Sequence, residues 1–177
     1  NMVLQYANDG NLHEYLKRNS LKLKWSDKLR FVREIALGLS FLHKHNIIHG
    51  DLNTQNIFVH DGKMMIAAHL MKKGTDHVYE PNRKSYADDR DESLSYVAPE
   101  VLLTKNTTYQ TDIYSFGILL YEIMTSLSPH QILTPDNLNI GIIRICNGLR
   151  PVLPKNIPGP VEHLITQCWD SDPSRRP

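Results

Sequence analysis

Cysteine is scarce in this chain: Cys146 and Cys168 are the two it has among 177 residues. They lack CxxC spacing and any secretory context, which excludes a disulfide framework and points to reduced thiols in an intracellular, cytoplasmic protein. An excess of either charge is also missing. Lys and Arg number 20 against 19 Asp and Glu, a net charge of +1, too little to hold nucleic acid or an anionic membrane by field alone. No apolar run approaches the ~20 residues of a membrane span, Asn1 opens no basic-then-apolar leader, and no internal repeat is present. Partners are therefore expected to be proteins recognised at local sites, with no nucleic acid and no membrane among them. The ends lack finish: the chain starts within the strand-like "MVLQY" and stops at Pro177 straight after "SRRP", so both read as cut, with room for a neighbouring lobe.

What is present is ample apolar material, 41% of residues, enough to close one core. "MVLQYANDGNLHEYLKRN" reads as a strand, a turn at Asn8, Asp9 and Gly10, and a short helix with Leu12, Tyr15 and Leu16 on one face. From Ser26, expected as N-cap, apolar residues recur at Leu29, Val32, Ala36 and Leu39 and at Phe31, Ile35 and Leu42, the mark of a long amphipathic helix. "NIIH", "NIFVH" and "KMMIA" follow as short β-prone runs, with Asp61 and Gly62 as a hairpin signal between the last two. Lys72 to Ser95 is polar and aperiodic, beyond the usual ceiling of about 12–15 residues for a structureless loop, and so either functional or disordered. "TDIYSFGILLYEIMT" is apolar on nearly every side and has to be a central, buried helix. "NLNIGIIRICNG" and "VEHLITQCW" read as smaller helices. The expected class is α+β, a mainly helical body with a small β-patch.

In their order along the whole chain, these residues resemble the C-terminal lobe of a protein kinase. "HGDLNTQN" is similar to the catalytic loop H-R-D-L-x-x-x-N, "APE" at Ala98 to Glu100 to the end of the activation segment, "DIYSFG" at Asp112 to Gly117 to the central helix, and "CWDSDPSRRP" to the closing helix motif. "YEIMTS" and "CWD" lean towards the tyrosine-kinase and tyrosine-kinase-like branches. The resemblance implies a single kinase-like domain over 1–177 with the N-lobe absent: a hinge at 1–10, the catalytic loop and metal motif at 47–70, the activation segment at 71–100 and a helical subdomain at 101–177. Leu4 would be the gatekeeper, and the backbone of Gln5, Tyr6 and Ala7 would meet adenine.

The resemblance further implies that Asp51 holds the position of the catalytic base and Asn56 that of an asparagine ligand of magnesium, since phosphoryl transfer depends on a carboxylate orienting the acceptor and on Asn and Asp holding the metal. Asp112 would cap catalytic-loop amides, His49 opens the loop motif, and Glu100 with Arg176 would tie the activation segment to the lobe. Against this, Ala68, His69 and Leu70 stand where D-F-G should be, and Ala68 has no oxygen for Mg²⁺. Gly50 replaces the Arg of H-R-D, whose fork would receive an activation-loop phosphate. Asn53 replaces the catalytic-loop Lys of Ser/Thr kinases, and Gln55 stands where tyrosine kinases carry Arg. Phe58, under the adenine position, either raises the pocket floor or is an ordinary core residue.

His43, His45 and His49 lack a Cys or carboxylate at ligand spacing, and the first two suit a helix C-terminus. Thr75, Tyr79, Ser85, Tyr86, Ser93, Ser95 and Tyr96 are hydroxyls placed as phosphosites or as plain solvated residues. The leading expectation is a pseudokinase that scaffolds or regulates through protein binding, with an active kinase or a substrate as partner and no cofactor held by this fragment. The alternatives are a weak or atypical Ser/Thr or Tyr kinase using Asp51 and Asn56, with ATP and Mg²⁺ in the full-length protein, and a truncated, non-functional fragment.

Overall fold

Residues 7–67, 92–130 and 138–177 are described by a computed structural model. The strand-like "MVLQY", with Leu4, Gln5 and Tyr6, lies outside them, as do Ala68 and the segment from there to Asp91. The described chain is mainly helical with one two-stranded antiparallel sheet, as the composition and periodicity lead one to expect. Helix α1 spans Leu12–Asn19 and α2 Trp25–Lys44. Strands β1 (Ile57–His60) and β2 (Lys63–Ile66) form a hairpin in which Ile57 faces Ile66 and His60 faces Lys63. Helices α3 (Pro99–Thr104), α4 (Tyr109–Thr125), α5 (Leu138–Cys146) and α6 (Gly159–Cys168) complete the order.

Each element starts where its donors find acceptors. Asn11 caps α1 by accepting from the Glu14 N–H at 2.9 Å, and Leu12 and Leu16 are buried beneath it. Ser26, the expected cap of α2, lies instead in its first turn: the helix begins at Trp25, where the Asp27 carboxylate reaches back to the Lys24 N–H at 3.0 Å. A first-turn acid that satisfies an orphan donor makes a Ser cap unnecessary. The Asp61-Gly62 turn has φ of +50° and +69°, the two left-handed residues that a tight hairpin needs. The preceding turn is sewn to it, with Asn8 Nδ2 donating to Asp61 Oδ1 at 2.7 Å and Val59 N to Gly10 O at 2.8 Å. Gly38 lets the hairpin settle on α2: a Cβ there would stand 2.9 Å from Ile66 Cδ1.

Helix α4 is buried on every side from Tyr114 to Met124, as its all-round apolar pattern requires. At its far end Lys28 of α2 donates to Met124 O at 2.9 Å and Ser126 Oγ at 3.0 Å, a cation on the orphan carbonyls of a helix C-terminus. Burial lowers the Lys28 pKa. One reading of the sequence does not hold. "NIIH" is no strand: Ile47 makes a single bridge and the residues after it are irregular, the Asn46 and Ile47 amides closing the end of α2 and the His49 and Gly50 amides going to the Asp112 side chain. Most of the long polar segment lies outside the described residues; its described end is a 3-10 turn at Glu92–Tyr96 in which Leu94, Ser95 and Tyr96 are buried. Ser115 Oγ holds this turn by donating to Tyr96 O at 2.8 Å.

Candidate active site

The site is built on one buried carboxylate. Asp112, 1% exposed in the first turn of α4, accepts from Gly50 N through Oδ1 and from His49 N through Oδ2, both at 2.8 Å. Charge-assisted bonds of this length fix the backbone of the loop they hold. His43 adds a third contact, its Nε2 lying 2.8 Å from Asp112 Oδ2, with its ring 4.8 Å from that of Tyr109. Sequence reasoning assigned His43 only to the end of α2; nothing in its neighbours signals a partner 69 residues away. Gly50 takes φ +75°, a conformation open to glycine and strained for the Arg that the resemblance would put there.

His49 points back into the loop. Its Nε2 is 3.0 Å from Ala67 O and its Nδ1 is 3.2 Å from Asp51 N. A carbonyl on one nitrogen and an N–H on the other assign the neutral, Nε2-protonated tautomer. The catalytic loop is thereby linked to the residue before Ala68.

Asp51 is exposed, and both its carboxylate oxygens accept from amides. Asn53 Nδ2 donates to Oδ1 at 2.9 Å and Asn56 Nδ2 to Oδ2 at 2.8 Å. Asn56 Nδ2 also reaches Asp51 O at 2.8 Å. Asn53, 5% exposed, uses its own Oδ1 to accept from Gln55 N at 2.9 Å and Asn56 N at 3.1 Å. So Asn53 does more than leave out a cation: it closes the loop as an Asx turn while it holds the carboxylate. A cleft beside Asp51 is lined by Gly50, Ser93, Tyr96, Val97 and Thr107.

Three residues that the motifs do not single out lock the activation-segment turn to this loop. The Tyr96 hydroxyl donates to Glu122 Oε2 and lies 3.1 Å from Thr54 Oγ1, which is itself 3.5 Å from the same carboxylate oxygen. Glu122 is 5% exposed, and His13 Nδ1 stands 3.8 Å from its Oε1. Further along, Arg176 makes a bidentate pair with Glu100 at 2.5 and 2.9 Å, and donates to Asp170 O and Gln110 O, each at 2.9 Å. Its side chain is fully buried. Arg176 and Arg150 both lie about 5 Å from the Tyr114 ring, yet burial pushes the Tyr114 phenol up to about 12.

Magnesium needs several hard oxygen ligands. Asn56 can offer Oδ1, since its Nδ2 is turned to Asp51, but the Asp51 oxygens accept amide donors and the Ala68 side chain has no oxygen. Among the described residues, then, of the Asp51, Asn53 and Asn56 side chains it is Asn56 Oδ1 that is left facing outward for a metal. Of the adenine-facing candidates, Ala7 is described, its carbonyl accepting from Gly10 N at 3.4 Å. Phe58 is half-buried in β1 and stands apart from the core that its neighbours Ile57 and Val59 join.

A family model described as protein tyrosine and serine/threonine kinase matches residues 1–177. The chain is 32% identical over 177 residues to the serine/threonine/tyrosine-protein kinase HT1 of Arabidopsis thaliana, covering 99% of this chain and 44% of that protein. It is 31% identical over 184 residues to the dual specificity protein kinase zakA of Dictyostelium discoideum, covering 99% of this chain and 24% of that one. With the serine/threonine-protein kinase STY17 of Arabidopsis thaliana, the figures are 28% over 176 residues, 99% and 30%. The chain thus spans less than half the length of these relatives.

Proposed function

The chain belongs to the protein tyrosine and serine/threonine kinase family, and within it we propose a pseudokinase: a catalytic lobe kept as architecture that acts through protein binding, without efficient phosphoryl transfer. One observation carries the reading. The base-position carboxylate of Asp51 is held by two neutral amides, Asn53 and Asn56, in a chain whose sequence puts Ala68 at the metal carboxylate. Removing a single preorganised charge-stabilising donor costs ~10²- to 10³-fold in rate. Loss of the metal ligand together with the loop cation would exceed ~10⁴ if the effects were independent, against ordinary kinase turnover of ~1–100 per second. Both of these lost groups would act on the transferred phosphate; each group retained in full, Asp112 and the Glu100–Arg176 pair, holds the backbone.

The second reading is a weak or atypical kinase, of either Ser/Thr or Tyr preference. It is favoured by the register of Asp51 and Asn56, 2.8 Å apart, with Asn56 Oδ1 left to face a single metal. Nucleotide binding separates the two. In the full-length protein, a thermal shift with ATP should not grow when magnesium is added, and Ala68→Asp should introduce that dependence. A shift in the unsubstituted protein that rises with magnesium would reject the pseudokinase reading.

A further inference from the structure

Helix α2 carries an apolar row on the side turned away from the protein. Leu29, Leu37 and Phe41 are 41%, 56% and 60% exposed. With Arg33 they follow one i, i+4 ridge, about 18 Å long at 1.5 Å per residue. Leu29 was expected on the buried stripe; the structure gives the core Phe31, Val32, Ile35, Leu39 and Leu42 and turns Leu29 outward. Single exposed leucines are ordinary, whereas three large apolar side chains on one ridge, set around a single Arg, make an apolar face with a cation at its middle.

The charge along this ridge has one sign. The two acids of α2 are occupied within the fold, Asp27 by the Lys24 N–H at 3.0 Å and Glu34 by the Met64 N–H at 2.8 Å and Arg30 at 3.1 Å. Arg33, within the ridge, and Lys44, at its end, have no ion pair among the described residues. A second copy of the chain is a poor occupant, because two such ridges would bring like charges together.

We propose that this ridge docks an acidic amphipathic helix of a partner protein. Ridges along i±4 rows seat the ridges of another helix, and such helices bind through apolar anchors at i, i+4 and i+7. Leu29, Leu37 and Phe41 take the anchors, and Arg33 between them takes a carboxylate. None of the catalytic-loop residues is involved, so the docking stands whether or not the protein transfers phosphate.

The test uses the full-length protein and a labelled synthetic helix with Leu at every third or fourth position and Glu around it. A copy with Lys for Glu, and vesicles of equal parts phosphatidylcholine and phosphatidylserine, serve as comparisons. By fluorescence anisotropy the Glu peptide should bind at least ~10-fold more tightly than the Lys peptide. Leu37→Ser combined with Phe41→Ser should weaken it at least ~10-fold, and Arg33→Glu should reverse the preference between the peptides. These side chains are exposed, so an unchanged melting temperature will show that the fold is intact. The proposal is overturned if the Glu peptide does not bind, if both peptides bind equally, or if the Ser substitutions leave binding unchanged. Vesicle binding in place of peptide binding, or a dimer that Phe41→Ser dissolves, overturns it too.

Discussion

At the scale of single residues, Asp112 decides the shape of the catalytic loop. One carboxylate, almost sealed from water, serves two backbone amides and His43. Asp112→Asn keeps the size but turns an amide donor towards one of those N–H groups, leaving buried donors unsatisfied. The expected loss is about 3 kcal/mol, read from urea denaturation; a loss under about 1 kcal/mol would mean that the loop holds itself. Gly50 tells a related story. At φ +75° any L side chain is strained, so Gly50→Ala should cost about 1–2 kcal/mol in the same measurement. The sequence presents Gly50 as a lost arginine. The backbone angle adds that glycine is the residue this position accommodates without strain.

Elements carry the next scale, and α4 packs against α6 with no room for a side chain at Gly117. A Cβ on Gly117 would stand 2.8 Å from Cys168 Cβ and 3.1 Å from Trp169 N. In the same layer, burial pushes the Cys168 thiol from 9.0 up to about 12 and the Tyr114 phenol from 10.0 up to about 12. As pH rises, the unfolded chain releases these protons before the folded one does. Stability is therefore full below about pH 9 and lost towards pH 12, through Cys168 from 9.0 and Tyr114 from 10.0, each contributing on the order of 3 kcal/mol. Lys28, with its lowered pKa, works weakly the other way below 10.5. Between pH 9 and 10 the unfolded chain loses the Cys168 proton ahead of the Tyr114 one, with Cys146 and Tyr121, also raised by burial, adding to the fall. Cys168→Ala should flatten the fall of stability with pH there, as measured by denaturant midpoints; an identical slope in both proteins would contradict it.

Elements are also where legibility in the sequence divides. Periodicity located α1, α2 and the hairpin, and the all-round apolar run foretold a buried α4, because burial is written residue by residue. The start of α2 was misplaced because Asp27 does from the first turn what Ser26 could have done as cap. "NIIH" has β-prone residues, but its first two amides close the end of α2 on His43 O and Leu42 O and its last goes to a side chain from far along the chain, which propensity cannot register. The Thr54–Tyr96–Glu122 cluster was illegible for the same reason: its members are 26 to 68 positions apart. Asn53 could be read as an absent lysine, while its grip on Asp51 and on two amides needed coordinates.

For the molecule as a whole, the groups that hold the lobe together and the groups that would act on phosphate have separate fates. Asp112, His49, Glu100 and Arg176 are engaged in the packing of α4, the loop and the closing turn. On the proposed reading, Gly50, Asn53 and Ala68 stand where the family resemblance would put residues that carry charge to a phosphate or a metal. A lobe under selection for shape alone would keep the first set and tolerate changes in the second, and the docking proposed for the α2 ridge would give that shape a use.

The central claim, that Asp51 no longer supports efficient transfer, is most directly tested by phosphate transfer. The full-length protein and its Asp51→Asn variant would be given labelled ATP with magnesium or manganese and a mixed Ser, Thr and Tyr acceptor. The account predicts the same background signal from both. Clear turnover by the unsubstituted protein, abolished by Asp51→Asn, would contradict it.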